Sequence, residues 1–328
     1  MKKFKSVIAL VLVCLLSVGS LAELTNFPNG VSSFGIPLVG SGPVLTTGKV
    51  WFVSSSNALI GNDRYEGSSE RPFKTLDYAV GRSGSSKGDV IFVMPGHSEQ
   101  ISATSPLNLD VNGISVIGIG NGDLRPLLTV GTTTVNSIAL SGSDIKLENL
   151  RFTPGIDALK IGINVTGDDA TIRNCEFNGT SAIQADEWIV VTNNVSRFKL
   201  VGNKVRQTTA GGITFLRLGS PAYQVAIEEP YIGYNDIIGN FTLGIVNDNA
   251  TANNMIVEYN ILETSGGCSV NVSLNAVTTG VLNYNSLIIK SNSGEGLDYI
   301  TPSTNTKVKL IENYGSNFGG TYGRIVGQ

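Results

Sequence analysis

Two pairs of adjacent carboxylates are the first candidates for chemistry in this sequence. Asp168 and Asp169 lie in the segment TGDDATIRN, and Glu228 and Glu229 precede Pro230. Two carboxylates hydrolyse a glycosidic bond when they face one surface at a suitable separation. Neighbouring residues in an extended chain point in opposite directions. Each pair is therefore predicted to be solvated turn residues, and the four are catalytic candidates only if the protein is an enzyme.

Other reactive side chains are few. His97 is the single histidine, which leaves little room for a zinc site or for Ser-His or Cys-His catalysis. Cys175 and Cys268 fall in different phases of the repeat described below, and both are predicted to be packed thiols. We predict no metal site and no cofactor.

Three tyrosines offer a different chemistry, the binding of sugars. Tyr234, Tyr259 and Tyr284 recur at intervals of 25 residues, so they are predicted to stack in successive coils of a repeating structure. Facing outward, they would form a platform for sugar rings; facing inward, they would be an aromatic stack in the core. Strand alternation, counted from the apolar residue two positions earlier, favours the core. Glycan binding is the alternative.

An internal repeat supplies the elements that position these residues. A short phrase recurs in TIRNCEFNG, FKLVGNKVR, YIGYNDIIG, IVEYNILET and VLNYNSLII. The apolar residues that open the phrases follow one another at intervals of 25 to 32 residues: Ile117, Leu147, Ile172, Leu200, Ile232, Val257, Leu282 and Leu310. Five residues after each opener the residue is usually large and apolar. Three residues after the last five openers comes an asparagine: Asn203, Asn235, Asn260, Asn285 and Asn313.

These intervals predict a parallel β-solenoid. Each repeat is too short for a strand–helix–strand unit, and helical spacing is absent. Short strands would pair with their copies in the next repeat at about 4.8 Å, and stability would accumulate along the axis. The asparagines are predicted to lie at a bend, because asparagine tolerates the left-handed backbone region. They are also predicted to form a ladder of hydrogen bonds between coils.

The N-terminal region precedes the repeats. In residues 1–22 three lysines come before an apolar run shorter than the roughly 20 residues of a spanning helix, as in a secretory signal peptide. Cleavage would remove those lysines and no acid, which takes the net charge from −3 to −6. Such an acidic chain is a poor ligand for nucleic acid or an anionic membrane, and no stable membrane insertion is expected. Residues 23–48 are rich in Gly and Pro and are predicted to be an extended arm.

The segment after the arm carries a resemblance. WFVSSS, GSSERPFKTLDYAV and GDVIFVMPGHSEQIS predict a strand, a short amphipathic helix over residues 71–80, and a second strand. Together they resemble the entry of right-handed parallel β-helix proteins of the pectate-lyase-like superfamily. The resemblance implies an all-β, right-handed parallel β-helix whose open end is capped by the helix. The layout with its TNFPNG and SFGIP arm is also similar to β-helix proteins that tailed bacteriophages carry on the virion.

Many proteins of that superfamily cleave acidic polysaccharides. Its hydrolases carry G-H-G and R-I-K motifs, which this sequence lacks. Its lyases use acidic calcium ligands and an arginine or lysine base on neighbouring coils. The residues that could meet in this way are Asp168, Asp169, Asp186 and Glu187 with Arg206 or Arg217. Solvated turn residues are the expectation for these acids as well.

The sequence thus predicts one β-helix domain. Its parts are a signal peptide (1–22), an arm (23–48), an entry strand with a capping helix (49–96), coils (97–315) and a tail (316–328). The expected role is structural or adhesive, on a phage virion or as an exported protein, with carbohydrate or other surface proteins as partners. Two alternatives stay open: a polysaccharide lyase or glycoside hydrolase, and an assembly protein buried in a homotrimer.

Overall fold

The structure is a computed structural model. It describes the backbone of residues 32–33, 36–39 and 42–43 and, from Thr46 onward, residues 46, 48–56, 58–131, 138–180, 182–219, 225–265, 271–290, 300–301, 307–317 and 322–325. The predicted signal peptide (1–22), much of the predicted arm, and Cys268 lie outside these residues. The chain divides into two compact units, Met1–Leu45 and Thr46–Gln328.

The N-terminal unit contains a small antiparallel sheet within the predicted arm. Its three strands are Ser32–Ser33, Ile36–Val39 and Gly42–Pro43. Ser33 pairs with Ile36, and Val39 pairs with Gly42. This part of the arm therefore folds back on itself rather than running straight.

The larger unit is a parallel β-solenoid, as predicted. Successive coils contribute strands to three long sheets. Sheet A has ten strands: Val50–Val53, Val90–Val93, Ser115–Gly118, Lys146–Glu148, Thr171–Arg173, Lys199–Val201, Tyr231–Gly233, Met255–Glu258, Gly280–Asn283 and Val308–Ile311.

Sheet B also has ten strands: Ser98–Ile101, Leu127–Val130, Arg151–Pro154, Glu176–Asn178, Lys204–Gly212, Asp236–Phe241, Ile261–Ser265, Ser286–Lys290, Asn313–Asn317 and Tyr322–Ile325. The last of these runs antiparallel to its neighbour, so the predicted tail turns back along sheet B.

Sheet C has eight strands: Leu107–Leu109, Ile138–Leu140, Ile163–Val165, Glu187–Val191, Thr214–Leu218, Val246–Asp248, Val272–Ser273 and Ile300–Thr301. A short sheet at one turn contains Val195–Ser196, Ala226–Glu228 and Thr251–Asn253, and a small hairpin pairs Ser55–Ser56 with Leu59–Ile60.

The register of sheet A confirms the repeat. Seven of the predicted openers pair in one unbroken file: Leu147, Ile172, Leu200, Ile232, Val257, Leu282 and Leu310. Ile117 was wrong by one residue, because Val116 is the partner of Leu147. The residues five positions after these openers, from Phe152 to Gly315, pair in a second file in sheet B. Both files are buried through most of their length and form the core.

The predicted asparagine ladder is present and buried. Oδ1 of Asn260 accepts the backbone N–H of Asn235 at 3.0 Å and its Nδ2–H at 2.9 Å. Nδ2 of Asn260 donates to Oδ1 of Asn285 and to the carbonyl of Ile232, each at 2.9 Å. The pattern repeats from Asn203 to Asn313. In the middle of the ladder both amide hydrogens and the carbonyl oxygen are therefore satisfied.

The other reason given for these asparagines was wrong. The left-handed residue at this bend is the one before each ladder position, not the asparagine itself. The left-handed file contains Asn149, Asn174, Gly202, Tyr234, Tyr259, Tyr284 and Glu312. The ladder asparagine is selected for its amide, and its neighbour makes the turn.

Cys175 occupies the ladder position one coil before Asn203. Its backbone N–H donates to Oδ1 of Asn203 at 2.9 Å, and its Sγ lies 3.9 Å from the carbonyl of Leu147. The thiol thus contacts the group that an asparagine amide contacts in later coils. Burial raises the pKa of Cys175 to about 12, so this residue is the packed free thiol that was predicted.

The helix α1 spans Leu76–Arg82 and begins later than the predicted residues 71–80. Phe73 is held extended by backbone hydrogen bonds to the first strand of sheet A. Asp63 accepts the backbone N–H of Thr75 at 3.0 Å, which fixes the approach to the helix. The apolar face is as predicted, with Leu76, Ala79 and Val80 buried in the core of the first coils.

Helices contribute little else to the described residues. One 3₁₀ turn spans Gly122–Leu124. Within the described ranges no helix combines the length and apolar composition needed to cross a bilayer.

The ladder gives a first prediction. Asn260→Ala should lower the free energy of unfolding by about 3 kcal/mol, because it leaves buried amide groups of Asn235 and the carbonyl of Ile232 without partners. Urea unfolding followed by circular dichroism measures the loss. Asn121→Ala is the matched control, because Asn121 is exposed and forms no capping hydrogen bond with its side chain.

The ladder can also be extended by one asparagine, at Cys175, the position that precedes Asn203. In Cys175→Asn the new amide can donate to the carbonyl of Leu147 and to Oδ1 of Asn203. We expect this variant to be at least as stable as the wild type, whereas Cys175→Ala should be less stable. Equal losses in Asn260→Ala and Asn121→Ala would contradict the stabilising role of the ladder.

Candidate functional site

The three repeated tyrosines lie on the surface, so the expectation of a core stack was wrong. The exposed fractions are 56% for Tyr234, 44% for Tyr259 and 43% for Tyr284. Their rings stack nearly parallel, with centroids 5.1 Å and 5.0 Å apart. The alternation count failed because each tyrosine itself makes the left-handed turn, with φ between 53° and 60°.

The conformation is costly for a tyrosine. Bulky residues rarely adopt positive φ, and the same file uses Asn149, Asn174 and Gly202 in earlier coils, which are the residue types that prefer it. Each strained residue costs about 1–3 kcal/mol, and each stacked pair returns about 0.5–1.5 kcal/mol. Three turns and two stacked pairs leave a net cost, so turn formation does not explain the tyrosines.

The stacked rings present their edges and hydroxyl groups to solvent. Faces that meet at about 5 Å cover one another, so the middle ring has no free face. Within the described part of the chain, the three phenol hydroxyls form no hydrogen bond. Burial, followed by the neighbouring tyrosines and Glu258, raises the pKa of Tyr259. A phenol hydroxyl can both donate and accept a hydrogen bond, so the row offers both functions to a ligand.

A fourth tyrosine lies beside the row on sheet A. The ring of Tyr231 covers Gly233 so closely that a Cβ on that glycine would lie 2.8 Å from the ring. Its hydroxyl donates to Oε1 of Glu258 at 2.7 Å. Asn283 donates from Nδ2 to Oε2 of Glu258 at 3.2 Å. The carboxylate is thus held from the coils on both sides, and burial together with this bond raises the pKa of Tyr231.

Exposed apolar side chains complete the same area. Ile256 lies next to Tyr231 in the register of sheet A, and Ile261 begins the strand that follows Tyr259. We call the whole area the tyrosine surface; its members are Tyr231, Tyr234, Ile256, Glu258, Tyr259, Ile261, Asn283 and Tyr284. It combines exposed apolar area, phenol hydroxyls and one oriented carboxylate across three successive coils.

The four acidic candidates do not converge. Asp168 accepts the backbone N–H of Ser196 at 2.7 Å, and Asp169 accepts two hydrogen bonds from Arg197 at 2.6 Å each. The Arg197 guanidinium lowers the pKa of Asp169. Both carboxylates therefore anchor turns through these hydrogen bonds.

Glu228 and Glu229 have similar structural roles. Glu228 accepts from Nδ2 of Asn253 at 2.7 Å, and Glu229 makes a left-handed turn. Asp169 and Glu229 belong to one file of turn residues two coils apart, about 10 Å, and Arg197 lies in the coil between them. An arginine in that gap prevents the two acids from acting as a pair on one substrate.

A second acidic group does meet an arginine. Glu187 and Arg217 form an ion pair at 2.8 Å, and Asp186 pairs with Lys160 at 2.6 Å. Burial raises the pKa of Glu187, and the charge of Arg217 opposes that shift. The Nε of Arg217 is buried without a hydrogen-bond partner among the described residues. Arg206 is instead engaged by Asp236.

Asp248, at the end of a sheet C strand, was not a candidate from the sequence. Its carboxylate accepts the backbone N–H of Ala250 at 3.1 Å and the hydroxyl of Thr278 in the next coil. Burial raises its pKa to about 6. The residue ties two turns together with little access to solvent.

His97 is a structural residue. Its Nδ1 lies 3.2 Å from Oγ of Ser55 and its Nε2 lies 3.1 Å from Oε2 of Glu99. The serine hydroxyl also bonds the backbone of Ser98, and Glu99 accepts the first helical N–H, that of Leu76, at 3.0 Å. The imidazole is fully buried, so this Ser–His–Glu contact anchors α1 rather than exposing a nucleophile.

No three His, Cys, Asp or Glu side chains in the described ranges are grouped to hold a metal ion. The site that the structure does assemble is the tyrosine surface. A sequence signal for it existed, because the position two residues after each opener reads Asn, Asn, Gly, Tyr, Tyr, Tyr, Glu from Asn149 onward. The first three residues mark a left-handed turn, which places the later side chains outside.

Comparisons with known proteins concern the fold. The structure is similar to a rhamnogalacturonan lyase at 12% identity and TM-score 0.43, covering 85% of this chain and 90% of that one. It is similar to the pectate lyase Pel9A at 16% identity and TM-score 0.46, covering 84% and 77%. A GH136 lacto-N-biosidase from Eubacterium ramulus matches at 12% identity and TM-score 0.33, covering 82% and 67%. Neither the protein-family models nor the curated proteins give a match.

The buried carboxylate gives a prediction about pH. Because the pKa of Asp248 rises from 3.8 unfolded to about 6 folded, the native state binds the proton more tightly between these values. Its contribution to the free energy of unfolding therefore falls as the pH rises through this range, by about 2 kcal/mol between pH 4 and pH 7. Asp248→Asn should lack this slope.

Urea unfolding at pH 4 and pH 7 gives the change in the free energy of unfolding between these two pH values for each protein. The change in the wild type minus the change in Asp248→Asn is the contribution of Asp248. Subtraction removes the contribution of other carboxylates, including Asp169, whose lowered pKa acts in the opposite direction. Identical pH dependences for the two proteins would show that Asp248 is not perturbed.

Proposed function

We propose that the protein binds an extended carbohydrate through the tyrosine surface, and that its role is adhesive rather than catalytic. An exported protein or a virion surface protein would fit this role. The observation that carries the proposal is the placement of three exposed tyrosines in a left-handed conformation that Asn and Gly adopt at lower cost. Retained backbone strain points to function when the fold does not need it.

The chemistry of the surface suits a sugar chain. Sugars present hydroxyl groups and C–H faces together, and the surface offers phenol hydroxyls, the Glu258 carboxylate and exposed apolar carbons. The rings follow one another at 5.1 Å and 5.0 Å along the solenoid axis. This repeat is close to the length of one residue in an extended polysaccharide, so successive sugars could meet successive coils in the same way.

The carbohydrate proposal predicts a loss of binding on removal of the rings. The triple variant Tyr234→Ser, Tyr259→Ser, Tyr284→Ser should bind at least about tenfold more weakly, because it removes the hydrogen bonds of three phenol hydroxyls, about 0.5–1.5 kcal/mol each, together with the contacts of the rings. Affinity electrophoresis in gels containing hydroxyethyl cellulose, xylan, galactomannan or polygalacturonate measures the retardation.

Leu243→Ala is the matched control, since Leu243 is also exposed and apolar but lies outside the tyrosine surface. The triple variant should still unfold in one cooperative thermal transition, because the three rings are exposed and not part of the core. Wild-type migration that is unaffected by every polysaccharide would contradict the proposal.

A second candidate is a polysaccharide lyase or glycoside hydrolase centred on Glu187. The observation that favours it is the close Glu187–Arg217 pair, with a raised pKa of the acid; perturbed carboxylates concentrate at active sites. The low exposure of both side chains opposes it, at 7% for Glu187 and 17% for Arg217. A buried structural ion pair has the same properties.

An activity assay separates the two candidates. Incubation with the same four polysaccharides, followed by ultraviolet absorbance for unsaturated ends and a reducing-end assay, should give no product if the protein is adhesive. If the protein is an enzyme, the wild type should form product, and Glu187→Gln should form it at least about a hundredfold more slowly. Product formed equally by both proteins would exclude Glu187 as the catalytic acid.

A further inference from the structure

The row of tyrosines is preceded in its file by a position that carries no side chain. One coil before Tyr234 the same left-handed position is Gly202, which has no side chain. One coil after Tyr284 the position carries the side chain of Glu312. Within this file the ring of Tyr234 therefore has no neighbouring side chain on its outer side, whereas Tyr284 has one. Tyr234 is also the most exposed of the three tyrosines, at 56%.

Asn174 forms the far wall of this gap. It lies one coil before Gly202 in the file, and its Oδ1 would be only 2.8 Å from a Cβ placed on Gly202. In the coil before that, Asn149 uses its Nδ2 to bond the carbonyls of Gly118 and Gly120 at 2.8 Å and 3.0 Å. The Asn174 side chain forms no such bond with the described residues, and its amide extends over the glycine.

We infer that the gap over Gly202 is a binding position for one pyranose ring of the carbohydrate, stacked on the open face of Tyr234. This inference rests on the proposed function and locates its stacking contact. Two coil spacings, about 10 Å, separate the backbone of Tyr234 from that of Asn174. A saturated ring fits over Gly202 when the Asn174 amide, whose Oδ1 reaches that level, turns aside.

The two walls recognise complementary parts of a sugar. The negative face of the tyrosine ring attracts the weakly positive C–H groups of a pyranose face. The Asn174 amide offers both a donor and an acceptor to ring hydroxyls on the other side. The ring of Tyr259 cannot stack with a sugar because its neighbours cover both of its faces. It can contact the continuing chain only through its hydroxyl edge.

A side chain introduced at Gly202 tests the inference. Gly202→Tyr should add a fourth ring, because φ at Gly202 is 66° and three tyrosines already adopt φ of 53° to 60° in this file. The nearest obstacle is the flexible end of Asn174, which can move. We expect the variant to fold normally and to bind at least about tenfold more weakly, which corresponds to 1.4 kcal/mol.

Glu312→Tyr is the matched control, since it adds the same ring at the opposite end of the row. It should bind as the wild type does. Asn174→Ala should weaken binding by about threefold to tenfold, the loss of one hydrogen bond. Calorimetric titration with cello-, xylo-, manno- and galacturono-hexaose, with melting temperatures as a check on folding, measures all four proteins.

The outcomes distinguish this inference from the function beneath it. If no oligosaccharide or polysaccharide binds the wild type, both fall. If the wild type binds and the triple serine variant does not, while Gly202→Tyr binds normally, the function stands and the position over Gly202 is overturned. A loss in Glu312→Tyr instead of Gly202→Tyr would place the stacking contact at the other end and would also overturn the inference.

Discussion

The hydrogen bonds between buried asparagines of successive coils are the constraint on which the rest of this structure depends. Strand pairing alone permits a slip of register, and a slip of one residue would turn every core side chain toward solvent. An amide that must meet both the next amide and a carbonyl of the previous coil has one acceptable position. The loops differ in length from coil to coil, and the ladder keeps the strands aligned despite them.

This alignment fixes the residue before the ladder as firmly as the ladder itself. It must adopt positive φ whether it is Asn, Gly, Tyr or Glu. Its side chain leaves the coil at the same place each time. Equivalent side chains of successive coils therefore lie directly above one another. The fold therefore offers a row of outward positions at a constant spacing, and the sequence is free to place different chemistry there. Here three successive coils place tyrosine.

The sequence predicts the parts of the fold that repeat. The spacing of Leu147, Ile172 and the later openers identifies the paired strands, and the asparagine run identifies the ladder. Features that depend on contacts made once are less accessible. Asp63 and the backbone of Phe73 delay the start of α1, and Glu187 meets Arg217 in sheet C, where the repeated phrase gives no register. The direction of the tyrosines was predicted wrongly because alternation was counted across a left-handed residue.

The same rigidity bears on how the tyrosine surface can bind. A surface whose side chains are already ordered loses little conformational entropy when a ligand arrives. Stacking restricts the rings of Tyr234, Tyr259 and Tyr284, and Tyr231 and Asn283 orient the Glu258 carboxylate. The ladder lies one residue away from each ring and holds the coils at a fixed rise. An extended ligand with its own regular repeat meets matching spacing along the axis, whereas a compact ligand engages one coil at most, which is the physical reason to expect a polymer rather than a small molecule on this face.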